Sequence, residues 1–342
     1  MNLSEIKVLH VELTNKCNAG CPMCARSWQG RVFTAPLKEL QLHDFQDSTK
    51  NFNFKNLNRV YFCGNFGDPI MAQDCLAIVE YLRKKYPHLS IGIHTNGGAR
   101  SSQFWQDLAP LLTYCRFGID GLEDTNHLYR RGVNWKILMK NVKTFIDAGG
   151  IAEWDFLVFK HNEHQVEAAR EFAATLGFRF FQTKSSSRYV CSIEGKPLPM
   201  PVVGAEGQKL YDILWSDKVE YRNTHIEKPR KAILNQEISC KALNEKTVYL
   251  NADGRIYPCC WLAEKHQSTI SEYEHQQVTN FFSEFEFHKS NENHFLEQSF
   301  SKLRKSWSLP KNSLSSLQVC TRVCGTESSS FRSQFLTSKA LN

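Results

Sequence analysis

The sequence lacks any run of apolar residues long enough to cross a membrane as a helix. No segment approaches about 18 consecutive apolar residues, the length that a membrane span needs. The N-terminal stretch, residues 1–5, also lacks the basic and apolar regions of a secretory signal. We therefore expect a cytoplasmic protein.

The sequence also has no tract in which basic residues concentrate, although its 342 residues carry a net charge of +7. A solvated basic surface explains this spread of charge better than a nucleic-acid footprint does, although an RNA partner is permitted. Hydrophobic residues make up 42% and charged residues 23%, which is ordinary for a globular protein. The length suits one large domain and a smaller one.

Twelve cysteines are present, and in a cytoplasmic protein they indicate metal or redox chemistry rather than disulfides. Cys17, Cys21 and Cys24 follow an alternating apolar run with the spacing Cys-x3-Cys-x2-Cys. Three thiolates are one fewer than a closed structural metal site needs. On a four-iron cluster they would leave one iron open to a small molecule. Half of a zinc site, or unrelated core thiols, are the alternatives.

Before residue 185 the apolar pattern predicts six strands, most of them followed by a helix. The predicted strands are residues 8–13, 59–63, 90–95, 116–120, 153–159 and 178–182. The predicted helices are residues 37–47, 75–82, 101–112, 135–148 and 166–176. This α/β alternation favours a parallel sheet with right-handed crossovers. A partial (β/α)6 barrel fits six units, and a doubly wound open sheet is the competing architecture.

Polar and glycine residues follow the predicted strands at their carboxyl ends, where functional residues of parallel α/β folds gather. The second strand leads into residues 64–69, which end in Gly67, Asp68 and Pro69. Glycine lets the backbone approach a ligand closely, and a carboxylate can accept hydrogen bonds from an ammonium group. Thr95 and Asn96 end the third strand, and Asp120 ends the fourth.

A second set of cysteines lies in the last third of the chain. Cys240 and Cys259 flank a predicted hairpin, residues 247–257, which brings them together at little loop-closure cost. Cys320 and Cys324 supply two further thiols, for a total of four, and no cysteine occurs between residues 261 and 319, so one cluster is the limit. Cys260 could replace Cys259 as a ligand. A four-thiolate zinc site is the alternative to an iron–sulfur cluster.

The first cysteine triplet resembles the signature of the radical SAM superfamily, with Met23 where relatives usually carry an aromatic residue. Gly67, Asp68 and Pro69 resemble the end of the family's Gly-Gly-Glu-Pro motif, which receives the methionine amino group of S-adenosylmethionine (SAM). The resemblance implies a partial barrel, a 4Fe–4S cluster held by the triplet, and SAM on its open iron.

Further residues take their implied roles from the same resemblance. Thr95 and Asn96 match a motif near the SAM ribose. Asp120 matches a Ser-x-Asp-Gly motif in which Gly118 here replaces the serine. The stretch 127–131 resembles the His-x3-Arg of peptide-modifying relatives, so Arg131 would pair with the SAM carboxylate; Arg130 is less favoured. No catalytic side chain is identified.

The second cysteine set resembles the twitch domain, a shortened SPASM domain that holds one auxiliary 4Fe–4S cluster. The expected organisation is a core at 1–184, a linker at 185–239, the twitch-type domain at 240–327 and a flexible tail at 328–342. The resemblance implies a low-potential electron donor such as flavodoxin or ferredoxin. We expect a peptide or protein side chain as substrate. A nucleotide, RNA or sugar-like substrate, or a zinc-stapled binding module without SAM chemistry, are the alternatives.

Overall fold

The computed structural model of the chain describes residues 1–31, 36–189, 191–192, 194–223, 227–285, 293–310, 313–326 and 335–341. Within them, a nine-stranded sheet forms the centre of the fold. Its six consecutive parallel strands are β1 (Val8–Val11), β2 (Arg59–Phe62), β3 (Ser90–Thr95), β4 (Tyr114–Gly118), β5 (Ala152–Val158) and β6 (Phe180–Ser185). The accompanying helices are α1 (Leu42–Thr49), α2 (Cys75–Lys85), α3 (Ser102–Leu108), α4 (Asn126–Tyr129), α5 (Trp135–Asp147) and α6 (Val166–Leu176).

The six strands lie side by side in chain order, each parallel to the next. A doubly wound sheet reverses its strand order at a switch point, and no reversal occurs between β1 and β6. Right-handed crossovers in one direction place the helices on one face of the sheet. The predicted α/β fold with a mostly parallel sheet is confirmed. The face of the sheet opposite the helices is available for a functional site.

The boundaries of several elements differ from the predictions. The first helix begins at Leu42 rather than near residue 37, because Glu39 is held in extended conformation by a bridge to Thr14. The Asp44 carboxylate then accepts a hydrogen bond from the Gln41 amide at the helix start. The last strand, β6, begins two residues later than predicted and runs on to Ser185.

The segment 185–239, predicted as a linker, contains regular structure. β7 (Met200–Val203) and β8 (Lys209–Ile213) form an antiparallel pair, and α7 (Arg230–Leu234) follows. Met200, Val202 and Ile213 are buried in the main core, so this pair packs onto the molecule. The prolines at 197, 199 and 201 obscured it in the sequence, because proline argues against a strand interior.

The predicted hairpin is confirmed as β9 (Thr247–Leu250) and β10 (Ile256–Tyr257). β9 also pairs in parallel with β1, so the C-terminal region extends the central sheet. Its helices are α8 (Lys241–Asn244), α9 (Cys260–Gln267), α10 (Glu272–Phe282), α11 (Asn293–Trp307) and α12 (Gln318–Cys324).

The C-terminal segment 328–342, predicted as a flexible tail, contains the strand β11 (Phe335–Ala340), which pairs antiparallel with β6. The prediction was wrong for these residues, because the exposed edge of β6 offers unpaired backbone groups that another strand can satisfy. Residues 328–334 and 342 of the predicted tail lie outside the described residues. No helix among the described residues is long and apolar enough to cross a membrane.

Candidate functional site

A cavity of about 370 Å³ lies at the carboxyl ends of the parallel strands. Its size is that of a small-molecule site. The thiols of Cys17, Cys21 and Cys24 all line it, together with the loops that follow β2, β3 and β4. The predicted convergence of the triplet on one site is therefore present in the structure.

Each of the three sulfurs has a nitrogen donor close by. The Ala19 amide lies 3.4 Å from the Cys17 sulfur, and the Arg26 amide lies 3.5 Å from the Cys24 sulfur. The Arg130 guanidinium lies 3.8 Å from the Cys21 sulfur. Donors around sulfur stabilise thiolate and tune the potential of a cluster that the thiolates hold.

Burial raises the pKa of Cys21 to about 11 and the pKa of Cys17 further still, with Asp68 adding to the effect on Cys17. Left alone, these two thiols stay protonated at neutral pH. A cationic metal centre would reverse this, because metal ligation deprotonates a thiol outright. One buried and two half-buried thiols with nitrogen donors beside them fit a cluster that is bound through three cysteines.

Asp68 is the hub of the loop that follows β2, and it is 5% exposed. Its carboxylate accepts hydrogen bonds from the Thr95 hydroxyl (2.7 Å), the Asn96 amide (2.7 Å) and the Ile70 amide (3.2 Å). It therefore joins the loops after β2 and β3, two of the predicted motifs. Burial raises the pKa of Asp68, and these hydrogen bonds oppose the rise.

Gly67 lies against the backbone of the cysteine loop. A Cβ atom at this position would overlap the Thr14 carbonyl oxygen, which is backbone and cannot rotate away. Any other residue would therefore push the two loops apart. Gly67 lines the cavity, whereas Pro69 is buried beside it and does not.

Asn96 connects the loop after β3 to the cysteine loop. Its side-chain amide donates to the side-chain Oδ1 atom of Asn18 at 2.9 Å and lies 3.6 Å from the Cys17 sulfur. Thr95 and Asn96 both line the cavity with Asp68. Gly67 and Asp68, predicted after β2, and Thr95 and Asn96, predicted at the end of β3, are thus brought together in one cavity.

The structure places Arg130, and not Arg131, in the cavity. Arg130 donates to the fully buried Asp120 carboxylate at 2.6 Å. Arg131 instead donates to the Val203 carbonyl at 3.1 Å, outside the cavity lining. The prediction that favoured Arg131 is corrected, because the turn after α4 directs the first of the two arginines inward.

Gly118, which stands where the Ser-x-Asp-Gly motif that this stretch resembles has serine, makes room for Arg130. A Cβ atom on Gly118 would overlap the Arg130 guanidinium. The guanidinium therefore occupies the space beside β4 that a serine side chain would enter. The absence of a side chain at Gly118 and the inward position of the Arg130 side chain therefore fit together.

Glu12 is a buried residue that the sequence analysis did not identify. Its Oε1 atom accepts from the Phe66 amide at 2.7 Å and the Gly67 amide at 3.3 Å, and its Oε2 atom accepts from the Tyr249 hydroxyl at 2.6 Å. Burial raises the pKa of Glu12 to about 7 in spite of these hydrogen bonds. The residue links the loop after β2 to the C-terminal hairpin. An acidic residue inside an apolar strand run was the available signal.

Charged side chains on the open face of the sheet also line the cavity and were not predicted. Lys184 on β6 and Arg116 on β4 both pair with Asp155 on β5, at 2.6 and 3.5 Å. Arg116 also donates to Glu153 at 2.9 Å. The alternation of apolar and charged residues in β4, β5 and β6 was the signal for this polar face.

The second predicted set of thiols also meets in space. Cys240, Cys259, Cys320 and Cys324 line one small apolar cavity. Cys259 lies at the start of α9, and Cys320 and Cys324 are one turn apart on α12. Burial raises the pKa values of Cys240, Cys259 and Cys320.

Cys260 does not line this second cavity, so the structure favours Cys259 over Cys260 as the fourth thiol. Among the residues that the structure describes, no three Cys, His, Asp or Glu side chains lie close enough to hold one metal ion. Of the remaining cysteines, Cys75 and Cys115 are fully buried, Cys191 is half-buried, and Cys63 lines the main cavity.

The parallel strand array and the cysteine-lined cavity at its carboxyl edge define an α/β protein with a thiol-rich site. Residues 11–173 match the family model described as the Radical SAM superfamily. These residues are therefore similar to a radical SAM domain, and members of that superfamily are enzymes. The superfamily implies a 4Fe–4S cluster and SAM.

Similarity to individual proteins is distant. The tungsten-containing aldehyde ferredoxin oxidoreductase cofactor-modifying protein of Pyrococcus furiosus is 24% identical over 275 residues, which cover 74% of this chain and 71% of that protein.

Solved structures share the fold. SuiB of Streptococcus suis bound to S-adenosylmethionine gives a TM-score of 0.52 at 13% identity, covering 75% of this chain. This chain spans only 61% of SuiB. The structure of native anSMEcpe with bound AdoMet and Cp18Cys peptide gives a TM-score of 0.50 at 15% identity, covering 96% of this chain and 93% of that chain.

Proposed function

We propose that this chain is a radical SAM enzyme that binds a 4Fe–4S cluster through Cys17, Cys21 and Cys24, and SAM beside it. The observation that carries the proposal is the cavity that all three thiols share with the loops after β2, β3 and β4. Bound together, cluster and SAM supply an electron and a carbon-centred radical that removes a hydrogen atom from a substrate. The fold positions these groups and excludes water from them.

The chain's own residues have separable parts in this proposal. Gly67 allows close backbone approach at the position of the SAM amino group, and Asp68 holds the loops after β2 and β3 together. Thr95 and Asn96, which line the same cavity, would lie beside the SAM ribose. Arg130, which Asp120 orients, is the cation available for the SAM carboxylate.

We further propose that Cys240, Cys259, Cys320 and Cys324 hold an auxiliary 4Fe–4S cluster, as in a twitch domain. Four thiols around one apolar cavity support this proposal. With four protein ligands the cluster would have no open iron, so it would relay electrons or shape the substrate pocket. Flavodoxin or ferredoxin would serve as the low-potential electron donor for the enzyme. We propose a cytoplasmic location for the enzyme itself.

A peptide or protein side chain is the proposed substrate. Two structures that share this fold contain peptides, namely SuiB bound to precursor peptide SuiA, with a TM-score of 0.50, and anSMEcpe with Cp18Cys peptide. The relative from Pyrococcus furiosus, whose name describes a cofactor-modifying protein, supports a small-molecule substrate as the second candidate. Deuterium transfer from labelled substrates into 5′-deoxyadenosine would distinguish the two.

The test is anaerobic reconstitution followed by reduction in the presence of SAM. We expect about eight irons per chain and release of 5′-deoxyadenosine. Cys21→Ala should abolish this release, whereas the control Cys191→Ala, at a half-buried thiol outside both sites, should not. Zinc without sulfide, or equal product from both variants, would refute the proposal and favour a zinc-stapled binding module.

A further inference from the structure

A chain of five charged side chains, buried in its middle and half-exposed at both ends, runs between the two cysteine sites. Arg188 pairs with Glu264 at 2.8 Å, and Lys265 pairs with Glu264 at 3.2 Å. Lys265 also pairs with Glu274 at 3.5 Å, and Arg322 donates twice to Glu274, at 3.0 and 3.1 Å. We refer to these five residues as the ion chain.

The two ends of the ion chain lie at the two sites. Arg188 lines the main cavity, and its guanidinium lies 3.4 Å from the carbonyl oxygen of Met23, between Cys21 and Cys24. Arg322 lies on α12 between Cys320 and Cys324. The ion chain therefore extends from the backbone of the first cysteine loop to α12, the helix that carries two thiols of the second site.

The middle of the ion chain is buried. The side chains of Glu264, Lys265 and Glu274 are 8%, 10% and 11% exposed. Burial alone would raise the pKa values of Glu264 and Glu274, but the cations beside them hold both below their ordinary value. Buried charges of this kind depend on every partner, because removing one leaves the other uncompensated in a medium of low polarity.

We propose that the ion chain is a positioning device that makes the conformation of the Cys21–Cys24 loop depend on the position of α12. This inference rests on the proposed function, since it concerns how the SAM site is held. Arg188 is the positioning residue, because it alone in the ion chain contacts the cysteine loop and lines the cavity.

The coupling follows from the way the two carboxylates are shared. Glu264 accepts from Arg188 through Oε2 and pairs with Lys265 through Oε1. Glu274 binds Lys265 and Arg322 together. Without Glu274, Lys265 keeps only Glu264, and it then competes with Arg188 for that carboxylate. The Arg188 guanidinium loses its fixed orientation, and the Met23 carbonyl loses its donor.

The test is a double-mutant cycle with Arg188→Gln and Glu274→Gln in anaerobically reconstituted protein. The measurements are the dissociation constant of SAM and the electron paramagnetic resonance spectrum of the reduced first cluster. We expect each single variant to weaken SAM binding about two- to thirtyfold. The double variant should be no weaker than the weaker single variant, because both break the same link.

The matched control is Asp147→Asn, which breaks the exposed Lys143–Asp147 pair of α5 and should leave SAM binding and the spectrum unchanged. If Glu274→Gln does not accumulate, Arg322→Lys supplies the same test, because it keeps the charge but loses the two-point contact. Lower thermal stability of Glu274→Gln with unchanged SAM affinity and spectrum would overturn the inference, as would additive effects. Wild-type protein that binds no SAM would instead refute the proposed function, and the inference with it.

Discussion

Glu12→Gln should remove a pH dependence from the stability of the protein. The Glu12 carboxyl is 2% exposed, and burial raises its pKa from 4.5 to about 7. Because this pKa is higher in the folded chain than in the unfolded chain, folding favours the protonated form. Stability should therefore fall as the pH rises from about 4.5 to about 7, and this contribution should not change further above that range.

The magnitude follows from the size of the shift. One pKa unit corresponds to about 1.4 kcal/mol, so a rise from 4.5 to about 7 corresponds to roughly 3 kcal/mol. Glutamine stays neutral at every pH and retains an oxygen for the Phe66 and Gly67 amides. The free energy of unfolding of the variant, minus that of the wild type, should become more positive by this amount between pH 4.5 and pH 8.

The assay is anaerobic urea titration of the reconstituted wild type and variant at matched pH values, read as the difference between them. Taking the difference cancels the titration of every other group, including His10, whose pKa burial lowers to about 3. Glu167→Gln, at a side chain that is 67% exposed, is the matched control and should shift stability by less than about 1 kcal/mol. A difference for Glu12→Gln that stays constant over this pH range would refute the reasoning.

Three further variants test the sites. Asp68→Ala leaves buried donors without an acceptor, so the free energy of unfolding in urea should fall by about 2–6 kcal/mol. Gly118→Ser places a side chain where the Arg130 guanidinium lies. The affinity for SAM should therefore fall by about tenfold or more in a binding titration, which is equivalent to at least about 1.4 kcal/mol. An unchanged affinity would contradict the role of Arg130. Cys320→Ala should reduce the iron content from about eight to about four per chain, whereas Cys260→Ala should leave it unchanged.

The strand array was predictable because its signals are local. Each of the first six strands is a short apolar run with a glycine or polar residue after it, and β3 was predicted to the residue. The cysteine spacing and the motif residues at the strand ends were equally visible. Once six parallel strands lie in order, their carboxyl ends must meet, so the convergence of Cys17, Asp68 and Asn96 follows from the topology.

The parts that were missed depend on contacts between distant segments. The pairing of β9 with β1 and of β11 with β6 joins residues more than 150 positions apart, and no local pattern encodes it. The choice between Arg130 and Arg131 depends on the turn after α4. Glu12 is informative only together with its partner Tyr249 on the hairpin.

Several contacts join the C-terminal region to the first cysteine site, among them the Asn65 side-chain amide, which donates to the Cys260 carbonyl at 2.8 Å, and two further contacts have physical consequences for that site. Through Tyr249 and Glu12, the hairpin contacts the loop that carries Gly67. Through the ion chain, α12 contacts the loop that carries Met23. Because β9 also adds directly to the central sheet beside β1, movement of the second thiol site would strain the sheet as well as both loops. The C-terminal region is therefore an integral part of the fold at the proposed SAM site, and its removal should destabilise that site rather than only delete the second proposed cluster.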